Sequence, residues 1–408
     1  MSTRSAPAMF DDLWTDARLV TMRGDGLGVI EPGALAVKDG VIAWIGPMSD
    51  LPATGAKRRH DAGGRFVLPG FVDAHTHLVF AGDRVGEFER QLGGATRKEL
   101  AAEGGGILYT MRETRKAPVE ELVAIARPRL RRLMSEGVTT LEIKSGYGLD
   151  LDSELNMLRA ARRLGRENGI RVVTSFLGAH VVPPEFAGRS RDYLTHLAEV
   201  ILPAALAEGL VDICDGGIEG LSIQPEEMMI LYRAALNAGL PVKGHTDQYG
   251  DVGGAGQLAA LGALSADHLE YSSEASITAM AKAGTVAMLL PGSTLFLNEP
   301  RRPPLDLFRR HGVAMALATN CNPGSSPTLS PLLVLALGCS LFRMTPVEAL
   351  RGYTVVGARA AGLAGKVGEL RVGLPAEFVL WEIGQPAELC YWLGGAPPRE
   401  IVSGRSGI

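Results

Sequence analysis

The sequence predicts an α/β fold: a (β/α)8 TIM-like barrel with a small composite β-sandwich domain built from both termini. Three observations predict it. Eight short apolar, β-branched runs lie within residues 66–362, amphipathic stretches separate most of them, and two β-rich flanks bracket the alternation. Buried strands that are mostly followed by helices favour a closed parallel barrel over an open doubly wound sheet. The expected boundaries are 1–65 for the N-terminal part of the β-sandwich domain, 66–362 for the barrel and 363–408 for its C-terminal part.

The first flank, 17–68, reads as short strands with glycine turns (ARLVTM, GALAVKDGVIAWIG). Asp39-Gly40, set between ALAV and VIAWI, is the strongest hairpin signal in the chain. The barrel strands are expected at 66–74, 138–144, 171–178, 211–215, 241–245, 264–270, 285–290 and 313–319. Helical patterns cover 119–135, 153–168, 190–208 and 225–239. Gly137, Gly169, Gly209 and Gly239 stand at or just past their ends, where a left-handed C′ residue is favoured. The second flank, 366–382 (KVGELRVGLPAEFVLWE), resembles the first in pattern and completes the composite domain.

Composition narrows the function classes. The chain has 408 residues, of which 46% are hydrophobic and 21% charged, so it can bury a large core and wholesale disorder is excluded. Fifty-one glycines and 24 prolines against 6% aromatics point to many tight turns. Forty-one basic and 45 acidic residues leave a net charge of −4, which argues against a nucleic-acid binder that relies on global electrostatics. Cys214, Cys321, Cys339 and Cys390 lie far apart with no CxxC pair, which disfavours a disulfide scaffold and a cysteine zinc site. Reduced thiols in a cytoplasmic enzyme are the simplest reading. MSTRSAPAMFDDLW lacks the apolar core of a secretory signal, and no apolar run approaches the ~20 residues that span a bilayer. A soluble protein without a membrane partner is expected.

The chemistry gathers at the predicted strand ends. Asp73-Ala74-His75-Thr76-His77 closes the first barrel strand, and in an extended segment residues i and i+2 face the same side. Both imidazoles can therefore aim at one point on the C-terminal face, where barrel enzymes build their sites. His180, His245 and His268 stand at three further strand ends, so five of the eight histidines share this placement. Neutral imidazoles are good ligands for zinc or iron, and three suffice for a catalytic site that leaves a position for water.

VLPGFVDAHTH, followed by a histidine at the fifth strand, another at the sixth and a polar residue after the eighth, resembles the amidohydrolase superfamily. Within it the chain resembles the imidazolonepropionase family through HTHLVFAGDR (75–84), EIKSGYGL (142–149), FLGAH (176–180), KGHTDQ (243–248), ADHLEY (266–271) and CNPGSSP (321–327). The SGYG and NPGSSP loops carry the step from superfamily to family. The resemblance implies a metal-dependent hydrolase of histidine breakdown that opens the ring of 4-imidazolone-5-propanoate to N-formimino-L-glutamate. It implies one divalent or trivalent ion, zinc or iron, on His75, His77 and His245. Arg84, Tyr147, His180, Gln248, Asn322, Gly324 and Ser325 would contact the substrate, and His268 would lie beside the attacked carbonyl. A homodimer is implied at the same level. The residue types suit a planar ring bearing a propionate: Arg84 offers forked donors to a carboxylate, Tyr147 a directional hydroxyl, and Asn322–Ser325 backbone donors that can hold an anion.

At one position the chain departs from the family pattern. Where that pattern has ATDCNPG, this chain reads Ala318-Thr319-Asn320-Cys321-Asn322-Pro323-Gly324. The aspartate is expected to ligate the metal and take a proton from water; an amide oxygen is a weaker ligand and cannot accept that proton. Asn320 is therefore expected to impair turnover more than metal binding. Lys144, at a strand end, is expected to pair with a carboxylate rather than bridge two metals. Two rival readings remain open: another cyclic-amide hydrolase or an aminohydrolase of the superfamily, and a non-catalytic ligand-binding relative. Thr246-Asp247-Gln248 lacks the glutamate that many aminohydrolases place shortly after the fifth-strand histidine.

Overall fold

The computed structural model describes residues 9–96, 99–100, 103–220, 223–394 and 400–403. Five strands come first: β1 (Phe10–Val20), β2 (Val29–Lys38), β3 (Val41–Pro47), β4 (Ala56–Asp61) and β5 (Phe66–Pro69). Eight follow: β6 (Phe71–Asp73), β7 (Val138–Lys144), β8 (Arg171–Ala179), β9 (Ile213–Ile218), β10 (Gly244–Thr246), β11 (Ser265–His268), β12 (Val286–Leu289) and β13 (Met315–Leu317). Two more, β14 (Glu377–Trp381) and β15 (Glu400–Ser403), close the order. Residues 1–8, 395–399 and 404–408 of the expected terminal parts lie outside the described residues.

The two flanks meet in one seven-stranded sheet, ordered β15-β14-β5-β1-β2-β3, with β4 also beside β1. Asp39 and Gly40 connect β2 to β3 with φ of +51° and +74°, the two positive values that a tight two-residue hairpin turn needs. Alternation along β5 and β14 sends successive side chains to different cores. Val67, Phe378 and Leu380 join Trp14 and Leu19 inside the terminal sheet's own cluster, whereas Phe66, Leu68, Val379 and Trp381 pack on the barrel. The second flank contributes less strand than its pattern predicts. Only Glu377–Trp381 pairs in β14, because Gly368 and Gly373 turn the preceding chain at φ of +83° and +91°.

The eight central strands form a parallel sheet in sequential order from β6 to β13. All eight expected strands are present, but the run 66–74 is two strands in two sheets. Phe66–Pro69 pairs with β1 and β14, while Phe71–Asp73 pairs with β7. The break falls at Gly70, where a Cβ would collide with the side chain of Thr139; only glycine lets the chain cross that close to β7. The last strand returns to the first through Asn320 N–H to the His75 carbonyl (3.0 Å) and His77 N–H to the Cys321 carbonyl (2.9 Å). Asp73 strengthens that seam by accepting the Thr319 N–H at 3.1 Å and its hydroxyl at 2.6 Å.

Helices Val119–Ser135, Leu151–Asn168 and Pro225–Asn237 stand where the apolar periodicity puts them, and 190–208 is helical with a wider π turn at Leu197–Ile201. Gly137, Gly169, Gly209 and Gly239 have φ between +64° and +95°, as C′ residues require. Among the described residues no helix is long and apolar enough to cross a membrane.

Candidate functional site

His75 and His77 lie just beyond β6, His180 just beyond β8, His245 inside β10, and His268 at the last position of β11. The barrel thus turns histidines that are far apart in sequence toward one centre. One donor atom each from His75, His77 and His245 falls within 4.8 Å of the others, so the three can hold a single ion. His75 Nδ1 meets Asp267 Oδ2 at 2.6 Å and His245 Nδ1 meets Asp215 Oδ1 at 3.1 Å. A carboxylate accepts, so Nδ1 carries the proton in both rings and Nε2 keeps its lone pair. His77 Nε2 lies 3.3 Å from His245 Nε2. His75 Nε2 and His77 Nδ1 are buried without a hydrogen-bond partner. Buried polar atoms are ordinarily satisfied, and a cation held among the three rings would satisfy His75 Nε2.

The electrostatics favour the ligand form of the rings. Burial holds His75, His77 and His268 well below the ordinary imidazole pKa, with positive neighbours adding to the effect. Burial, then His245, takes His180 down to about 4. All four are neutral near neutrality, as metal ligation and hydrogen-bond acceptance require.

A buried ionic frame stands beneath the histidines. Lys144 Nζ donates to Glu142 Oε1 (2.7 Å) and Asp215 Oδ2 (2.5 Å); Lys243 Nζ donates to the Ala74 carbonyl (2.8 Å) and lies 3.2 Å from Asp267 Oδ2. Burial opposes the charge on Lys144, yet Asp215 and Glu142 hold its pKa above the usual lysine value. The expected ion pair at Lys144 is therefore doubled. Asp215, also fully buried, is pulled well below the usual carboxylate range by Lys144 and His245. Glu142 also accepts the Thr76 N–H at 3.0 Å and the Ser175 hydroxyl, and so fixes the segment between His75 and His77.

Above the histidines opens a cavity of about 780 Å³. Its walls include His77, Arg84, Tyr147, His180, His245, Gln248, His268, Asn320, Asn322, Gly324 and Ser325; His75 lies behind them, fully buried. All twelve residues singled out in the sequence are thus at one place. The Arg84 guanidinium is held by Glu87 at 2.8 Å and rests against Gly324, where any Cβ would collide with it. Asn322 Oδ1 accepts the N–H groups of Gly324 (2.8 Å) and Ser325 (2.7 Å) and so shapes that loop. Asn320, buried with φ of +50°, accepts from Asn322 Nδ2 at its carbonyl (2.7 Å) and at Oδ1 (3.2 Å). His268, Leu269 and Asp247 also have positive φ, so strained backbone concentrates at this mouth.

Sequence reasoning missed the supports. Glu142, Asp215 and Asp267 come from three strands and Lys243 immediately precedes a fourth, and nothing local marks them; Asp267 beside His268 was the one available hint. It also missed Glu219, on the cavity wall just past β9, which accepts the Gln248 and Tyr249 N–H groups and which burial raises to about 8.

Comparison with known proteins agrees with this geometry. The amidohydrolase family model matches residues 66–404. An imidazolonepropionase of Ralstonia nicotianae is 52% identical, over 97% of this chain and 98% of its own length. One of Pseudomonas entomophila is 51% identical, over 96% and 97%. The chain belongs to the imidazolonepropionase family of amidohydrolases. The fold is shared with more distant solved structures. A 5-methylcytosine deaminase from Klebsiella pneumoniae aligns with a TM-score of 0.74 at 19% identity, covering 96% of each chain. An adenosine deaminase from Xanthomonas campestris with bound zinc aligns at 0.65 and 18%, covering 98% of this chain and 92% of that one. At such identities these two speak for the fold alone.

Proposed function

We infer that the chain hydrolyses the ring C–N amide bond of 4-imidazolone-5-propanoate, giving N-formimino-L-glutamate in histidine degradation. The observation that carries this is full-length similarity to imidazolonepropionases, above half identity in both relatives described. The convergence of His75, His77 and His245 under a cavity walled by Arg84 and the Asn322–Ser325 loop supports it.

His75, His77 and His245 hold one ion, zinc or iron, with the oxygen of Asn320 as a weak fourth candidate. Such an ion acidifies water and polarises a carbonyl. The chain's own residues do the rest. Arg84 receives the propionate on its forked donors, and the Asn322–Ser325 loop and Gln248 supply hydrogen bonds. Tyr147, its hydroxyl kept protonated by burial, and His180 face the ring. His268 stands beside the carbonyl and steadies the charge that develops on its oxygen. The same reading carries a cytoplasmic homodimer.

Asn320 is where this chain's activity is set. Its amide cannot take up a proton, so the transfer to the leaving ring nitrogen lacks the group that an aspartate would supply. Asn320→Asp is expected to raise kcat at least ~10²-fold, measured by the loss of imidazolonepropionate absorbance. Equal rates would assign the base to another group. Tight binding of substrate analogues by both proteins, with turnover by neither, would favour the non-catalytic reading, and ammonia release from amino-heterocycles would favour an aminohydrolase.

A further inference from the structure

Two of the four cysteines, separated by 50 residues of sequence, meet in space. Cys339 lies on the helix Pro331–Phe342, and Cys390 ends the short 3₁₀ turn Pro386–Cys390 that packs against it. Their thiols lie beside each other and form no disulfide. Both line a second cavity of about 440 Å³, rimmed by the exposed Tyr391 and Trp392, which shares no wall residue with the histidine cavity. Cys339 is half-buried and reachable from solvent, whereas Cys390 is buried. Cys214 and Cys321 are each buried in the barrel.

We propose that Cys339 and Cys390 form a redox-active dithiol that closes to an intramolecular disulfide by exchange with low-molecular-weight disulfides such as glutathione disulfide. The division of labour follows from position. Cys339 is the accessible thiol, and the neighbouring Cys390 thiol lowers its pKa despite partial burial and the nearby Glu348 carboxylate. A thiolate with those properties is the attacking group. Its sulfur bonds to one sulfur of the reagent, the reagent's S–S bond breaks, and one glutathione thiolate leaves. Cys390 then gives up its proton to water, and its sulfur attacks Cys339 Sγ. The mixed S–S bond breaks and the second glutathione thiolate leaves. The protein has lost two electrons and two protons, and one disulfide has become two thiols. The bond ties the C-terminal segment to a barrel helix and constrains the unfolded chain.

The test treats the reduced full-length protein with glutathione disulfide under native conditions, traps free thiols by alkylation in acid and maps the peptides by mass. The expected result is a 339–390 cross-linked pair formed at least ~10-fold faster than any modification of Cys214 or Cys321, and reversed by dithiothreitol. Cys390→Ser should accumulate the glutathione adduct at Cys339, and Cys339→Ser should leave Cys390 unmodified. Oxidised protein should also melt at a higher temperature than reduced protein, with no such shift in Cys390→Ser. An adduct at Cys339 that never resolves in the unsubstituted protein would overturn the proposal. So would thiols that all react alike, or none that react. The mapping needs no variant to fold, and its outcome is independent of the hydrolase reading.

Discussion

The floor and the rim of the main cavity are held by different means. Under the floor, Glu142, Lys144, Asp215, Lys243 and Asp267 sit on or beside strands, each with an oppositely charged or hydrogen-bonding partner from another part of the chain, and each fully shielded from water. At the rim, Arg84 is paired with Glu87 three residues away, and the Asn322–Ser325 loop is shaped by its own side chains. Floor contacts are desolvated and, apart from Lys144–Glu142, long-range; rim contacts are local and half-wet. The difference teaches that, on the proposed reading, ion retention would fall to the desolvated floor and substrate recognition to the rim, which can change without disturbing the barrel.

Substitutions can break that comparison. The largest effect is expected for Lys144→Met, which leaves Glu142 and Asp215 buried without their shared cation. A loss of about 3–5 kcal/mol in denaturant unfolding of the metal-free protein is expected. A loss below about 1 kcal/mol would show that the frame is not the stabilising core of the floor. Next is Asp267→Asn, which weakens the hold on the proton of His75 Nδ1. Metal affinity should fall about 10–100-fold in competition with a chelator, and unchanged affinity would place the tuning of His75 elsewhere. At the rim, Arg84→Lys keeps the charge and loses the fork. KM should rise about tenfold while kcat and metal content stay near those of the unsubstituted enzyme. A fall in kcat alone would put Arg84 among the reacting groups. The smallest effect belongs to Gly324→Ala, whose methyl group must displace the Arg84 guanidinium. Because that side chain can give way, KM should rise by about threefold with melting temperature unchanged, and a lower melting temperature would show the rim to be as rigid as the floor.

The halves were also unequally legible. Eight strands, their helices and the glycines that end them were readable because periodicity and C′ conformation are local properties of a chain. The histidines were readable because the four strand ends that carry the five of them must share a face of one barrel. The split at Gly70 was not readable: the run 66–74 is uniformly apolar, and only the crowding of Thr139 shows why the chain changes sheets there. The carboxylate supports were hidden for a similar reason. Asp215 and Asp267 look like ordinary polar residues until barrel closure sets them against His245 and His75.

By itself, then, the sequence determined the eight barrel strands, the barrel, a composite β-domain from both termini, the family and the residue types that gather at the mouth. Tertiary structure alone decided which nitrogen of His75 and of His245 is free, which lysine neutralises which carboxylate, and that Cys339 meets Cys390 across 50 intervening residues. Local pattern is written residue by residue along the chain. Charge pairing, tautomer and thiol contact depend on distances of a few ångströms between segments remote in sequence, and only the folded chain sets those distances.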